Sequence, residues 1–220
     1  FDGLRFFNPG HLGHKGLGDL IKWRLGGKDS TPWPEHVPNT RFDPPPARVE
    51  GGALRVTNVG HSTVLVQTGG VNILTDPVWS DRAGPFGMFG PRRSRGPGLP
   101  MEILPEIDLV LVSHNHYDHL DLATLAALAR LPQAKGARVL TPLGNEALIR
   151  EAGPGLAVSE MDWGERFKGP RGVAVHALPA LHWSARGLSD RRKALWASFV
   201  IEAPGGNVYF CGDSAYGQGE

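Results

Sequence analysis

The sequence predicts an α/β protein in which two β-sheets are sandwiched between helices. Three observations carry that expectation: a glycine-turned hairpin near residue 70, a strand–helix–strand run from 107 to 141, and a return to strands after 172. Strands, then a mixed middle, then strands again fit a two-sheet sandwich better than a doubly wound sheet. At 220 residues, 40% hydrophobic and 20% charged, the chain suits one globular core. No stretch approaches the ~18 apolar residues of a membrane span, so the expected state is soluble or peripheral to a membrane. The residues name no compartment. With 23 basic and 22 acidic side chains, the charge balance gives no support to nucleic-acid binding.

Residues 1–50 read as an irregular arm, dense in Gly, Pro and single aromatics, with at most a short turn near Asp19 to Arg24. Phe6, Phe7, Trp23 and Trp33 are expected to hold it on the core, since disordered tails are poor in aromatics. Residues 51–220 read as the main domain. Leu54 to Thr57 alternates, and Val64-Leu65-Val66-Gln67 and Val71-Asn72-Ile73-Leu74 flank Gly69-Gly70, a strong hairpin signal. The segment 77–105, rich in Pro, Gly and Arg, reads as a long loop. Ile107 to Val112 is apolar but for Asp108 and reads as a buried strand. Asp121 then caps a helix, Leu122 to Leu131, followed by a strand at Arg138 to Thr141 and a helix from Gly144 to Ala152 stopped by Gly153. Strand, helix, strand at this spacing implies a parallel crossover. Strands are expected again at Gly172 to Leu178, Leu195 to Glu202 and Asn207 to Cys211. Cys211, the one cysteine, reads as a buried strand residue.

The densest chemistry lies in His114-Asn115-His116-Tyr117-Asp118-His119, at the mouth of the 107–112 strand. In extended backbone, residues two apart point the same way, so His114 and His116 can converge on one ion. Asp118 and His119 offer an oxygen and a nitrogen to a second ion close by. His182 and Asp213 also follow strand ends, and ligands gathered from separate strand ends make an ion cage. Asp213 has two oxygens and can bridge two ions. Asp76 ends a strand too, where it can accept the free N–H of an ion-bound imidazole or form an Asx turn before Pro77. His61, between Gly60 and Ser62, reads as a contact to substrate or to a ligand from outside the ion. His11, His14 and His36 read as surface residues. Imidazole and carboxylate without thiolate suit zinc, with iron or manganese as alternatives.

Together these positions resemble the metallo-β-lactamase superfamily. Its pattern is an Asp after a strand, His-x-His-x-Asp-His, a distant His, a bridging Asp and a final His. Asp76, the run 114–119, His182 and Asp213 match the first four parts in order. Within the superfamily the chain resembles the N-acylphosphatidylethanolamine-hydrolysing phospholipase D group and its bacterial relatives. The words that carry this are Phe7-Asn8-Pro9, Gly60-His61-Ser62-Thr63-Val64-Leu65-Val66, Asn72-Ile73-Leu74-Thr75-Asp76-Pro77, Gly90-Pro91-Arg92-Arg93 and Ser113 to Leu120. His182-Trp183, Leu195-Trp196 and Gly212-Asp213 continue them.

The resemblance implies an αββα sandwich holding two divalent metal ions on His114, His116, Asp118, His119, His182 and Asp213. Asp118 and Asp213 would also act in catalysis. The implied reaction is phospholipase D-type hydrolysis of an N-acylphosphatidylethanolamine-like phosphodiester by a metal-bridging hydroxide, releasing an N-acylethanolamine and phosphatidic acid. Phospholipid or other phosphodiester substrates, peripheral membrane contact and a homodimer are the expected associations. Arg92, Arg93 and Arg95 fit this reading, since arginine forks match phosphate oxygens. A second basic cluster, Arg186 to Lys193, is offered for the same purpose, with solvated loops as the alternative for each. Phe86, Met88 and Phe89 are offered either for acyl chains or for packing. Alternative functions are a lactonase or other phosphodiesterase on the same fold, or a non-catalytic metal-binding fragment. No histidine follows His182, although the family pattern ends on one. The expectation is therefore a domain lacking its C-terminal portion, complete at its first ion site and one ligand short at its second.

Overall fold

The hairpin seeds the first sheet. In a computed structural model, which describes residues 1–9, 17–26, 32–39 and 43–216, β1 (Leu54–Gly60), β2 (Thr63–Thr68) and β3 (Val71–Thr75) run antiparallel. Gly69 and Gly70 turn between β2 and β3 with φ of 57° and 72°, the left-handed pair that a two-residue hairpin loop needs. Three parallel strands extend the sheet: β4 (Leu109–Leu111), β5 (Arg138–Pro142) and β6 (Ala157–Met161). The order is β1-β2-β3-β4-β5-β6. The crossovers carry α2 (Leu122–Leu128) and α3 (Glu146–Ala152). Asp121 caps α2 by accepting from the Ala123 amide at 3.1 Å. α3 is capped from outside: Glu160 on β6 accepts from the amides of Asn145 and Glu146 at 2.7 and 2.8 Å.

A second, antiparallel sheet has the order β10-β9-β8-β7, from β7 (Arg166–Lys168), β8 (Ala174–Leu178), β9 (Ser198–Ala203) and β10 (Gly206–Phe210). The period of two in β4 explains how the layers meet. Leu109 and Leu111 face the second sheet with Ile73, Leu140 and Met161, against Val175, Ala177, Phe199 and Ile201. Val110 and Val112 face the other way, with Leu65, Leu74 and Val139, against Leu125, Leu128 and Ile149 beneath the helices. The outer face of the second sheet is polar, with Glu202 joined to His176 at 2.8 Å and to Arg166 at 3.1 Å.

Register levels the strand ends that matter. β3 and β4 pair with Thr75 opposite Leu111, and the Asp76 amide donates to the Leu111 carbonyl at 2.7 Å. β8 and β10 flank β9 with Leu178 opposite Ser198 and Phe210 opposite Phe199, so both exit on the same side. The Ala197 amide donates to the Ser113 carbonyl at 2.9 Å, stitching the two sheets at that edge.

Several expectations need correction. The turn near Asp19 is a nine-residue helix, α1 (Leu17–Leu25), whose leucines and isoleucine at 17, 20, 21 and 25 keep helical spacing. The described parts of the arm are tied down by hydrogen bonds more than by aromatics. Trp33 is 80% exposed, whereas Arg48 reaches Gly70, Glu106 and Asp108, and Pro46 and Ala47 accept from Gln67 and Asn72. The side chain of Trp23, and His11 and His14, lie outside what is described; His36 is exposed. Strands β6 and β7 were not anticipated: Ser159 and Glu160 interrupt the first, and the second is three residues long. The strand expected from Leu195 begins at Ser198, and Cys211 lies half-buried just beyond β10.

Candidate metal centre

β4 delivers Ser113 and His114 to the levelled edge, where the chain turns back so that the Leu120 amide donates to the His116 carbonyl at 2.8 Å. Three imidazoles meet there. His114 Nε2 lies 2.9 Å from His116 Nδ1, and His182 Nε2, brought in beyond β8, lies 3.1 Å from both. Ligands at zinc–nitrogen distances of ~2.0–2.1 Å in a tetrahedron stand roughly 3.3 Å apart, so the spacing suits one ion. Burial and the neighbouring imidazoles hold the His114 pKa far below the ordinary histidine range. Burial, then His182, brings that of His116 down to about 4. Burial lowers His182 as well. All three are neutral at pH 7, with lone pairs free for a cation.

A second group stands beside the first. His61 Nε2 is 3.2 Å from Asp118 Oδ2, and His119 Nε2 is 3.9 Å from the same oxygen. Asp213 faces both groups: Oδ1 is 3.3 Å from His119 Nε2, and Oδ2 is 3.7 Å from His182 Nε2. Burial opposes ionisation of Asp118, but the His61 hydrogen bond and the His119 charge outweigh it and bring its pKa to about 2. Burial likewise opposes protonation of His119, but the Asp213 carboxylate 3.3 Å from its Nε2 and the hydrogen bond to Asp76 raise it to about 10. An ion at this group would displace that proton. His119 Nε2, the ring nitrogen that faces Asp118 and Asp213, is buried without a well-placed hydrogen-bond partner. Buried polar atoms of this kind normally find one, so the donor set fits a cation ligated by imidazole and carboxylate.

Among the expected ligands, the structure therefore brings together His114, His116 and His182 in one group and Asp118 and His119 in another, with Asp213 between. His61, expected only as a contact from outside, falls in the second group through a turn in which it adopts φ of 50°. Asp76 lies behind the centre, its Oδ2 2.6 Å from His119 Nδ1.

The arginines near the site hold protein partners as well. Arg92, Arg93 and Arg95 line a cleft of about 650 Å³ whose wall also includes His61 and Asp118. Yet Arg93 is half-buried and donates to the carbonyls of Ser80 and Val78 at 2.9 and 3.0 Å, so it braces the loop. Arg92 pairs with Asp81 at 3.3 Å, and Arg95 donates to the Pro38 carbonyl at 3.2 Å. The second basic cluster does not present Arg186 to a ligand either. Its Nη1 donates to the Asn115 and Leu120 carbonyls at 3.0 and 2.7 Å, and its guanidinium lies 4.1 Å above the Tyr117 ring. Arg186 brackets the loop of ligands. Trp183 meets His116 edge-on at 4.5 Å, with Arg191 over its indole at 4.6 Å.

Sequence reasoning missed Ser113, Trp183 and Arg186 as supports of the site. A hydroxyl directly before the first histidine of the run was a usable signal for Ser113. Nothing local marks Arg186, whose carbonyl partners are more than sixty residues away.

Residues 71–220 match the Beta-lactamase superfamily domain. An uncharacterized protein of Mycobacterium tuberculosis is 39% identical over 198 residues, 90% of this chain and 52% of that protein. The N-acyl-phosphatidylethanolamine-hydrolyzing phospholipase D 1 of Caenorhabditis elegans is 39% identical over 171 residues, 74% of this chain and 47% of that enzyme. A metallo hydrolase from the archaeon Ignicoccus hospitalis aligns over 75% of this chain and 63% of its own, with a TM-score of 0.52 and 23% identity, a likeness of fold. The chain spans about half the length of the curated relatives it matches.

Proposed function

This chain belongs to the beta-lactamase superfamily, and on that premise we propose that it is a metal-dependent hydrolase of phosphodiesters of the N-acylphosphatidylethanolamine kind. The observation that carries the reading is the double placement of His61 and Asp118. Both belong to the second ligand group, and both line the 650 Å³ cleft. A substrate filling the cleft brings its scissile bond to the centre.

Two divalent ions, zinc foremost, would be held by His114, His116 and His182 and by His61, Asp118 and His119, with Asp213 shared. When bound, such ions polarise a phosphoryl oxygen and acidify water towards a pKa of ~7. The chain's own residues do the rest. Asp213 offers one oxygen to each group and sets their separation. Asp118, ionised at neutral pH and half exposed on the cleft side, accepts a hydrogen bond from the attacking water and orients it. Val37, Val59, Val78 and Ala83 give the cleft an apolar wall suited to an acyl chain, and Arg92 and Arg95 place positive charge along it. Met88 and Phe89, 65% and 60% exposed on the loop between cleft residues Ala83 and Pro91, suit contact with a lipid surface.

One observation favours a lactonase as the second reading: Arg92, Arg93 and Arg95 all hold protein partners, which leaves less donor capacity for a phosphate. The test is to assay the ion-loaded chain against N-palmitoyl glycerophosphoethanolamine and N-decanoyl homoserine lactone. Faster turnover of the phosphodiester is expected. Lactone turnover alone would establish the second reading, and turnover of neither by ion-loaded protein would leave a non-catalytic binding module.

A further inference from the structure

We propose that Ser113 is a positioning residue through which one buried carboxylate, Asp76, orients both ligand groups at once. The inference rests on the reading of the cluster as an ion centre, but not on its reaction.

Three donors converge on Asp76. Its Oδ1 accepts from the Ser113 amide at 2.7 Å, and its Oδ2 accepts from Ser113 Oγ at 2.6 Å and from His119 Nδ1 at 2.6 Å. Ser113 Oγ also lies 2.9 Å from His114 Nδ1. A hydroxyl has one proton to give, and a carboxylate only accepts. With the Ser113 proton spent on Asp76, the contact to His114 has one remaining sense: His114 Nδ1–H donates to the Ser113 oxygen. The lone pair of His114 is thereby placed on Nε2, the atom that faces His116 and His182. Direct donation to Asp76 fixes Nδ1 of His119 as a donor, so the proton an ion displaces is the one on Nε2, which faces Asp213. His114 and His119 form a buried trio with Asp76, but their Nε2 atoms face different partners, His116 and His182 for the first and Asp118 and Asp213 for the second, so Asp76 sets one directly and the other through the hydroxyl.

The residue at 113 is constrained in size as well as chemistry. Gly212, at φ of 59°, packs so closely that a Cβ there would lie 2.7 Å from Ser113 Cβ and 2.8 Å from its Oγ. The loop delivering Asp213 therefore rests on Ser113. Alanine fits that space but lacks the relay, and threonine brings its extra methyl into the same crowded space. Asp76 itself sits at φ of 32°, a conformation unfavourable for a residue with a side chain, held by its three hydrogen bonds.

The test is Zn²⁺ affinity of the full chain by chelator competition, with imidazole ¹⁵N spectra of the same samples. Loss of a partner behind an ion-bound histidine typically lowers affinity by about 10–100-fold. Ser113→Ala should weaken the His114 group by that factor, leave the second group within about threefold, and abolish the His114 Nδ1–H signal while keeping that of His119. Asp76→Asn should weaken both groups. Equal affinities in wild type and Ser113→Ala would refute the relay. So would an Nε2–H tautomer of His114 in the wild-type protein, a reading that needs no variant to fold. Failure of the wild-type chain to bind Zn²⁺ would instead remove the ion centre itself, and this role with it.

Discussion

Replacing Arg186 by methionine keeps an unbranched apolar stem and removes the guanidinium that brackets the ligand loop. Two hydrogen bonds disappear, to the carbonyls of Asn115 and Leu120, which lie on either side of His116, Asp118 and His119. A hydrogen bond from a charged donor contributes roughly 1.5–3 kcal/mol, but both bonds leave the same nitrogen and are not additive. The stack on Tyr117 adds about 0.5–1 kcal/mol. Burial of the guanidinium, which depresses its pKa, offsets part of this gain. The net loss should be roughly 2–3 kcal/mol, a fall of roughly 5–10 °C in Tm for a domain of this size. The assay is urea unfolding of the ion-free protein with amide hydrogen exchange across residues 114–120. Arg186→Lys should recover part of the loss, since an ammonium reaches one carbonyl without the planar fork. A loss below about 0.5 kcal/mol, with exchange in the loop unchanged, would show that Arg186 is surface decoration and refute the bracket.

His116→Ala should remove the ion of the first group together with hydrolytic activity, and wild-type ion content in that variant, measured by elemental analysis, would contradict the assignment. Gly212→Ala forces a side chain onto Ser113 at positive φ and should cost about 1–3 kcal/mol while weakening ion binding through Asp213, as read by thermal unfolding and chelator competition. Arg93→Ala should lower activity on a phosphodiester and on a neutral lactone alike, because the guanidinium braces Ser80 and Val78; a KM effect confined to the phosphodiester would place Arg93 on the substrate. Ion-free protein should be most stable near pH 6.5. His119 holds its proton more tightly when folded, so its contribution is full below about pH 6.5 and is lost as pH rises towards 10. His116 resists protonation when folded, so its contribution is full above about 6.5 and is lost as pH falls towards 4. A Tm that rises steadily from pH 6.5 to 10 would contradict this.

What could be read from sequence follows the range of the physics. The paired glycines 69 and 70, the apolar run ending at Val112 and the Asp121 cap act within a few residues, and the fold contains all three. Histidines two apart at a strand end point the same way in any protein, so the first ligand pair was legible. His61 was not, because its place beside Asp118 depends on a bulged β1–β2 turn more than fifty residues earlier. The partners of the arginines were out of reach for the same reason. Arginine charge is visible in the sequence, but the carbonyls that occupy Arg93 and Arg186 are set by how loops fold back. Strand β6 hid because Glu160, which breaks its apolar pattern, is used to cap a helix.

The candidate ligands run from His61 to Asp213, with supports at Asp76, Trp183 and Arg186. No short stretch of chain can gather them. They meet only after the late strands β8 and β10 have docked on the early hairpin, with the Ala197–Ser113 bond closing the seam. A cation bound here would therefore act as a clasp that recognises the finished article and ignores partly folded forms. At a free concentration one hundredfold above its Kd, such a ligand adds about 2.7 kcal/mol to the native state alone. Ion supply would then govern how long newly made chains survive proteolysis, in addition to whether they turn over substrate.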